Sequence, residues 1–398
     1  MQTQRKLALL AGIVLLAAAG VASAQKTVVN GAAAPLPADV YRNGSEGILP
    51  SYMSYVIVDS AVGKRAFLEN DFGLLVAGEG GNVDFAVSEQ ALSQTELDQY
   101  NARFNSGTSA VVHGPLMQLP SMLAPIALPF NQAAADGSIL DLTTSVLCGI
   151  FSGKITDWGS TGSGRRGPIR VVYRLESSGA TELLTRHLTS VCQPADVAGT
   201  SLRLINGYPG FSAQSKLAGA FVDGRVPTNF IASSGAGDRN AYNTVFAQSG
   251  RIGYSGPAQI PDLNDATKVA KVKGFSPGEI SVPATMNQIA PPSSSADIWN
   301  PAKWAPQFTY PQSGYPIVGF TYLLIPQCHR KALVKNGVRA FLEKHYNLGN
   351  AGTHDAAIRA LGFVPLTPTW REAVAFHFVS SSSQTGLGNV NTCAGIGR

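Results

Sequence analysis

Val171-Val172-Tyr173-Arg174-Leu175-Glu176-Ser177-Ser178-Gly179-Ala180-Thr181-Glu182 reads as a β-strand that turns directly into a helix. The β-branched and aromatic residues favour a pleated strand up to Arg174, and Ser177, Ser178 and Gly179 supply a short turn. Thr181, Glu182, Leu183, Leu184 and Leu188 then follow a helical pattern. The first N–H groups of a helix lack internal partners and sit at the positive end of its dipole, so this turn can hold an anion. Two hydroxyls and the Arg174 guanidinium surround the same point, and arginine presents planar, bidentate donors. Taken alone, the stretch also reads as an ordinary capped helix, with Ser178 as N-cap and Glu182 loosely placed for a capping box.

The same alternation of strand and helix runs through most of the chain and predicts an α/β layered fold rather than a sandwich. Strands are expected at Ser54–Val58, Val83–Val87, Met122–Leu128, Ile169–Tyr173, Ile252–Tyr254 and Ile317–Ile325. Helices are expected at Ser93–Phe104, Thr181–Val191, Asn240–Gln248, Lys331–Tyr346, Ala356–Leu361 and Trp370–Phe378. Leu119–Pro129 and Tyr315–Pro326 are long, apolar and bounded by proline. They read either as interior strands of one domain or as paired crossovers between two lobes. Pro277–Gln312 is rich in Pro, Ser and Ala with little periodicity, and reads as a long surface connection.

Arg5 and Lys6, the apolar stretch Leu7–Ala19 and the small residues Ala22-Ser23-Ala24 form an export signal over residues 1–24, with a mature start near Gln25. No cysteine follows the apolar stretch, so a cleaved chain without a lipid anchor is expected, in the periplasm or outside the cell. The remaining length, about 370 residues, predicts two domains. Removing Arg5 and Lys6 takes Lys+Arg from 30 to 28 against 25 Asp+Glu, a net charge of +3. Basic residues cluster only at Arg165-Arg166 and His329-Arg330-Lys331, a pattern that does not support nucleic-acid binding. Four cysteines in an oxidising compartment allow three pairings. Cys148 with Cys192 and Cys328 with Cys393 is the expected set, because each pair then lies within one compositional block. The six histidines, His113, His187, His329, His345, His354 and His377, show no metal-ligand spacing, so no metal and no cofactor is expected.

Leu147-Cys148-Gly149-Ile150-Phe151-Ser152-Gly153-Lys154-Ile155-Thr156-Asp157-Trp158, followed by Tyr173-Arg174-Leu175-Glu176-Ser177-Ser178-Gly179, closely resembles phosphate-binding proteins of the periplasmic PstS and DING type. The resemblance extends to Asn30-Gly31 with Leu36-Pro37, to Gly63–Asn70, and to the tail from Tyr315–Thr321 through Asn389–Cys393, and so covers essentially the whole mature chain. It implies a two-lobed, type II-like periplasmic-binding-protein fold with hinge crossovers and one dehydrated phosphate in the cleft. Residues 25–120 with 316–398 are expected as the first lobe and 121–315 as the second.

Carried over residue by residue, the resemblance places the family's arginine on Arg174, its serine and glycine on Ser178 and Gly179, its first-lobe hydroxyl on Ser60, and a backbone donor on Leu36. Three positions depart from the family. Pro35 stands for a threonine, Ala180 for the threonine after Ser-Ser-Gly, and Glu89, after Ser88, for an aspartate. That acid normally accepts the proton of hydrogen phosphate, and glutamate reaches one methylene further. Each lost hydroxyl removes a hydrogen bond to charge worth roughly 1.5–3 kcal/mol, which predicts weaker phosphate binding or a larger phosphorylated ligand. Glu176 reads either as a partner for Arg174 or as a solvated turn carboxylate. Ser233–Arg239 resembles the family's second glycine-rich helix start, and equally an ordinary loop.

The function implied is an exported, monomeric solute-binding protein that takes up or scavenges inorganic phosphate, with an ABC transporter permease as a partner. The family also includes secreted low-molecular-weight alkaline phosphatases, so a phosphomonoesterase using the same pocket is the alternative. No catalytic residue is assigned, because neither a Gly-x-Ser-x-Gly elbow nor a base next to Ser60 or Ser178 is legible. A third reading, supported by Pro35 and Ala180, is a secreted adhesion or signalling protein with a degraded site.

Overall fold

The computed structural model describes residues 28–42, 47–109, 111–308, 311–347 and 354–398. The export signal expected at 1–24 lies outside the described residues. No described helix is long and apolar enough to cross a membrane.

Two mixed sheets organise the chain. The first contains β1 (Gly31–Ala33), β2 (Val56–Ile57), β3 (Phe85–Ser88), β4 (Leu116–Pro125), β9 (Val318–Pro326) and β10 (Val364–Pro365), in the order β10-β4-β9-β3-β1-β2. The second contains β5 (Phe130–Asn131), β6 (Arg170–Tyr173), β7 (Phe230–Ala232) and β8 (Arg251–Ile252), in the order β7-β6-β8-β5. β1 is parallel to both β2 and β3, and β6 is parallel to both β7 and β8. The helices that matter to the cleft are α1 (Ser60–Glu69), α2 (Gln94–Phe104), α3 (Gly179–Val191) and α4 (Asp238–Phe246).

The two proline-bounded runs are interior strands of the first sheet, and the first leads on into the second sheet. β4 and β9 pair antiparallel from Val318 opposite Pro125 to Pro326 opposite Leu116, and every residue of both is buried. Such strands lack alternation because neither face meets water. Past β4 the chain makes bridges from Ala127 to Ser255 and from Pro129 to Val269, and then enters β5 of the second sheet. Pro120 is tolerated in a central strand because the register shifts between Thr321 and Tyr322, which frees Ser121 from the ladder.

The expectation that Pro277–Gln312 is a surface connection is wrong. It forms short helices at Val282–Met286 and Ser295–Trp299, and Val282, Thr285, Met286 and Trp304 are buried. Trp304 packs edge-on to Phe378 at 4.7 Å between ring centroids and to Trp370 at 6.3 Å. Proline at the first or second position starts a helix as readily as it punctuates a loop, which is why the composition misled. α1 and the helix Thr144–Ser152 are absent from the expected set, because their small and β-branched residues blur the helical period.

Cys148 is joined to Cys192 and Cys328 to Cys393. The first ties the helix Thr144–Ser152 to the end of α3, and the second ties the end of β9 to the C-terminal segment. Loops of this size contribute about 2–4 kcal/mol per bridge by restricting the unfolded chain. Reduction is expected to lower the melting temperature in calorimetry, and non-reducing peptide mapping is expected to recover these two pairs.

Candidate functional site

Every residue singled out for the cleft follows the C-terminal end of a strand. Leu36 follows β1, Ser60 follows β2, Glu89 follows β3 and Arg174 follows β6, while Ser178, Gly179 and Ala180 complete the turn from β6 into α3. In open α/β sheets this edge collects ligands, because successive strand ends and helix starts converge there.

Ser60 is the first residue of α1, and its Oγ donates to Glu89 Oε1 at 2.5 Å. Both are buried, Glu89 completely. The carboxyl group also lies against the start of α3: a Cβ added to Gly179 would come within 2.6 Å of Glu89 Oε1, so only glycine admits this acid. Glu89 therefore bridges a helix attached to each sheet. Its second oxygen, Oε2, is buried without a hydrogen-bond partner. Burial raises the Glu89 pKa, and the Ser60 hydrogen bond works in the opposite direction.

Arg174 is held between two acids. Its Nε donates to Glu176 Oε1 and its Nη1 to Asp238 Oδ1, both at 2.5 Å, with the guanidinium 5% exposed. Burial would lower the arginine pKa, but Asp238 and Glu176 outweigh it and the net shift is upward. Glu176 in turn accepts the Gly237 N–H at 2.9 Å, at the start of α4. Burial opposes ionisation of Glu176, and the bonds from Gly237 and Arg174 hold its pKa below the usual carboxylate range. The choice left open for Glu176 thus falls to the arginine partner.

Ser178 is a true N-cap, accepting the Thr181 N–H at 3.4 Å. The capping and anion-holding readings are compatible, because the cap satisfies the third N–H of α3 and leaves those of Gly179 and Ala180 without an intrahelical partner. Ala180 is completely buried in that first turn, whereas Pro35 is exposed. Leu36 reaches across to the second sheet's side: its Cδ1 and Asp238 Oδ2 both occupy the space where Gly256 would carry a Cβ. The site residues are therefore brought together in two linked clusters, Ser60–Glu89–Gly179 and Arg174–Glu176–Asp238, with Leu36 beside the second.

Asp238 and Tyr254 are the residues that sequence reasoning missed. The signal for Asp238 was its place after Ser233–Gly237 at a helix start, but its partner is 64 residues away. Tyr254 is buried and its hydroxyl joins the Arg174 N–H at 3.2 Å and Thr181 Oγ1 at 2.8 Å, locking the strand end to the helix start. Burial pushes its pKa up to about 12, opposed by the Thr181 hydrogen bond. Among the described residues no His, Cys, Asp or Glu cluster is arranged to hold a metal ion.

Residues 16–343 match the profile described as the PBP superfamily domain. The chain belongs to the PBP superfamily. This PBP superfamily member is 39% identical to Alkaline phosphatase L of Pseudomonas aeruginosa, with 96% of this chain and 97% of that protein covered. It is 49% identical to the solved phosphate-binding protein from Stenotrophomonas maltophilia, with a TM-score of 0.84 over 94% of this chain and 99% of that one. It is 36% identical to a high affinity periplasmic phosphate-binding protein, PfluDING, solved with phosphate at pH 8.5, with a TM-score of 0.76 over 93% of this chain and 99% of that one.

In this PBP superfamily member the buried Arg174 guanidinium is shared by two half-buried acids, Glu176 and Asp238. Arg174→Ala is expected to lose measurable anion binding in calorimetry and to lower stability by about 1–3 kcal/mol, since it removes charge-assisted hydrogen bonds from two half-buried carboxylates. Arg174→Lys, a point charge that cannot span both acids, should fall between. Unchanged anion affinity in Arg174→Ala would remove Arg174 from the site.

Proposed function

We propose that this is an exported solute-binding protein that holds inorganic phosphate in the cleft between two lobes, for uptake or scavenging. The observation that carries the reading is Glu89 Oε2, a buried acceptor with no partner, set between Ser60 and the first turn of α3. A ligand that satisfies it must bring a proton of its own together with oxygens for the surrounding donors. Hydrogen phosphate does both, and sulfate lacks the proton. The N–H groups of Gly179 and Ala180, the Ser178 hydroxyl, the Leu36 N–H and the Nη2 edge of Arg174 would replace its water shell, joined by the Ser60 hydroxyl once it turns its one proton from Glu89 to the ligand. The phosphate-bound relative and the one from Stenotrophomonas support the same ligand.

The reading includes lobes of 25–120 with 316–398 and of 121–315, joined where β4 and β9 cross. It also includes a periplasmic or secreted location, a monomer, and an ABC transporter permease as the receiving partner. A second reading, phosphomonoester hydrolysis in the same cleft, is favoured by the 2.5 Å contact of Ser60 with Glu89 and by the relative named Alkaline phosphatase L.

Calorimetry with phosphate and sulfate at fixed salt tests the binding reading. One phosphate per chain is expected, with sulfate weaker by about tenfold to a hundredfold, the equivalent of one hydrogen bond to charge. Glu89→Gln should erode that discrimination, because an amide can donate to sulfate. As pH falls through the raised Glu89 pKa, the acid gains a proton and becomes a donor, so the parent's preference should shrink toward that of the variant. Equal affinity for both anions at pH 8 would exclude the role given to Glu89.

A further inference from the structure

We infer that Ser60 and Glu89 act as nucleophile and general base, moving a phosphoryl group from a phosphomonoester onto Ser60 Oγ before water releases it. This rests on the second reading above and names its chemistry. The Ser60 hydroxyl already donates to the carboxylate at 2.5 Å, within the reach that proton abstraction requires. It is also not needed elsewhere: the cap of α1 is Asp59, whose Oδ1 takes the Ala61 N–H at 2.9 Å. Ser178, the other serine in the cleft, accepts the Thr181 N–H as a helix cap, and none of its hydrogen bonds is to a carboxylate or histidine.

A third serine meets a base away from the cleft. Ser121 Oγ lies 2.8 Å from His345 Nε2, and His345 Nδ1 lies 3.1 Å from His354 Nδ1. That serine lies inside β4 with Tyr41 OH at 2.5 Å, and no helix begins at it to stabilise an anion. Ser60 combines a base with a helix start that can stabilise an anion, because α3 begins at Gly179 against Glu89.

The atoms balance without a redox partner. Ser60 Oγ forms a bond to phosphorus while its proton passes to Glu89, the bond from phosphorus to the ester oxygen breaks, and Glu89 returns that proton to the departing alkoxide. Water then attacks phosphorus, Glu89 takes its proton, the bond from Oγ to phosphorus breaks, and Ser60 regains a proton. Ester and water become alcohol and phosphate. The burial that raises the Glu89 pKa suits an acid that must both take and return a proton.

The mature protein is incubated with 4-nitrophenyl phosphate, quenched in acid, and its peptides weighed, beside phosphate calorimetry on the same sample. A phosphoryl adduct on the Ser60 peptide is expected during turnover. It should disappear, with turnover, in Ser60→Ala. Ser60→Thr, which keeps a hydroxyl, should retain part of the rate, and Glu89→Gln should be slower by about a hundredfold or more. An adduct on Ser178, turnover without any adduct, or parental turnover in Ser60→Ala overturns the assignment. Phosphate binding without turnover also overturns it and leaves the binding reading standing, whereas a parent that neither binds phosphate nor hydrolyses the ester defeats both.

Discussion

Glu89 is a carboxyl group shut away from water, and the arrangement of the cleft follows from what makes that tolerable. An isolated charge in such a place would cost several kcal/mol, so the acid must be neutralised, solvated by donors, or placed at a positive potential. It has the Ser60 hydroxyl on one side and the start of α3 on the other. Two helices that grow out of different sheets thus point their positive ends at one buried acid. The same electrostatics recur next to it, where Glu176 sits at the start of α4 and shares Arg174 with Asp238. Three helix starts and one guanidinium thus stand against three carboxyl groups at short range.

This clustering depends on topology more than on any single side chain. Strands β1, β2 and β3 run parallel, as do β6 and β7, so within each sheet the residue after each strand is delivered to the same edge. β4 and β9 run side by side through the first sheet with no exposed residue, and β4 then carries the chain into the second sheet. The disulfides each close a long loop, one at the end of α3 and the other just past β9.

Much of the fold was legible in the sequence. Helices with apolar residues at regular spacing and strands rich in Val, Ile and Tyr are legible to within a few residues, as is the turn from Tyr173 to Gly179, whereas the strand expected at Met122–Leu128 runs from Leu116 to Pro125. Elements whose period is blurred were not. α1 mixes Ser, Gly and Ala with charged residues, and Pro277–Gln312 hides two short helices behind proline. Burial of β4 and β9 could be inferred from their unbroken apolar character, but whether they were interior strands or crossovers could not, since hydrophobicity records exposure and not direction.

The chemical identities at the cleft were set by sequence alone: an arginine before Ser-Ser-Gly, an acid after Ser88, and a serine where α1 begins. Local pattern suffices for these because a strand end, a cap and a helix start are each built from residues close in the chain. Partnerships were decided only by the tertiary structure. Ser60 and Glu89 lie 29 residues apart and Arg174 and Asp238 lie 64 apart, and no local rule chooses among the many acids and donors at such separations. The contact of Glu89 with Gly179 required two sheets to close on each other, because the space beside a glycine acquires meaning only when another chain segment fills it.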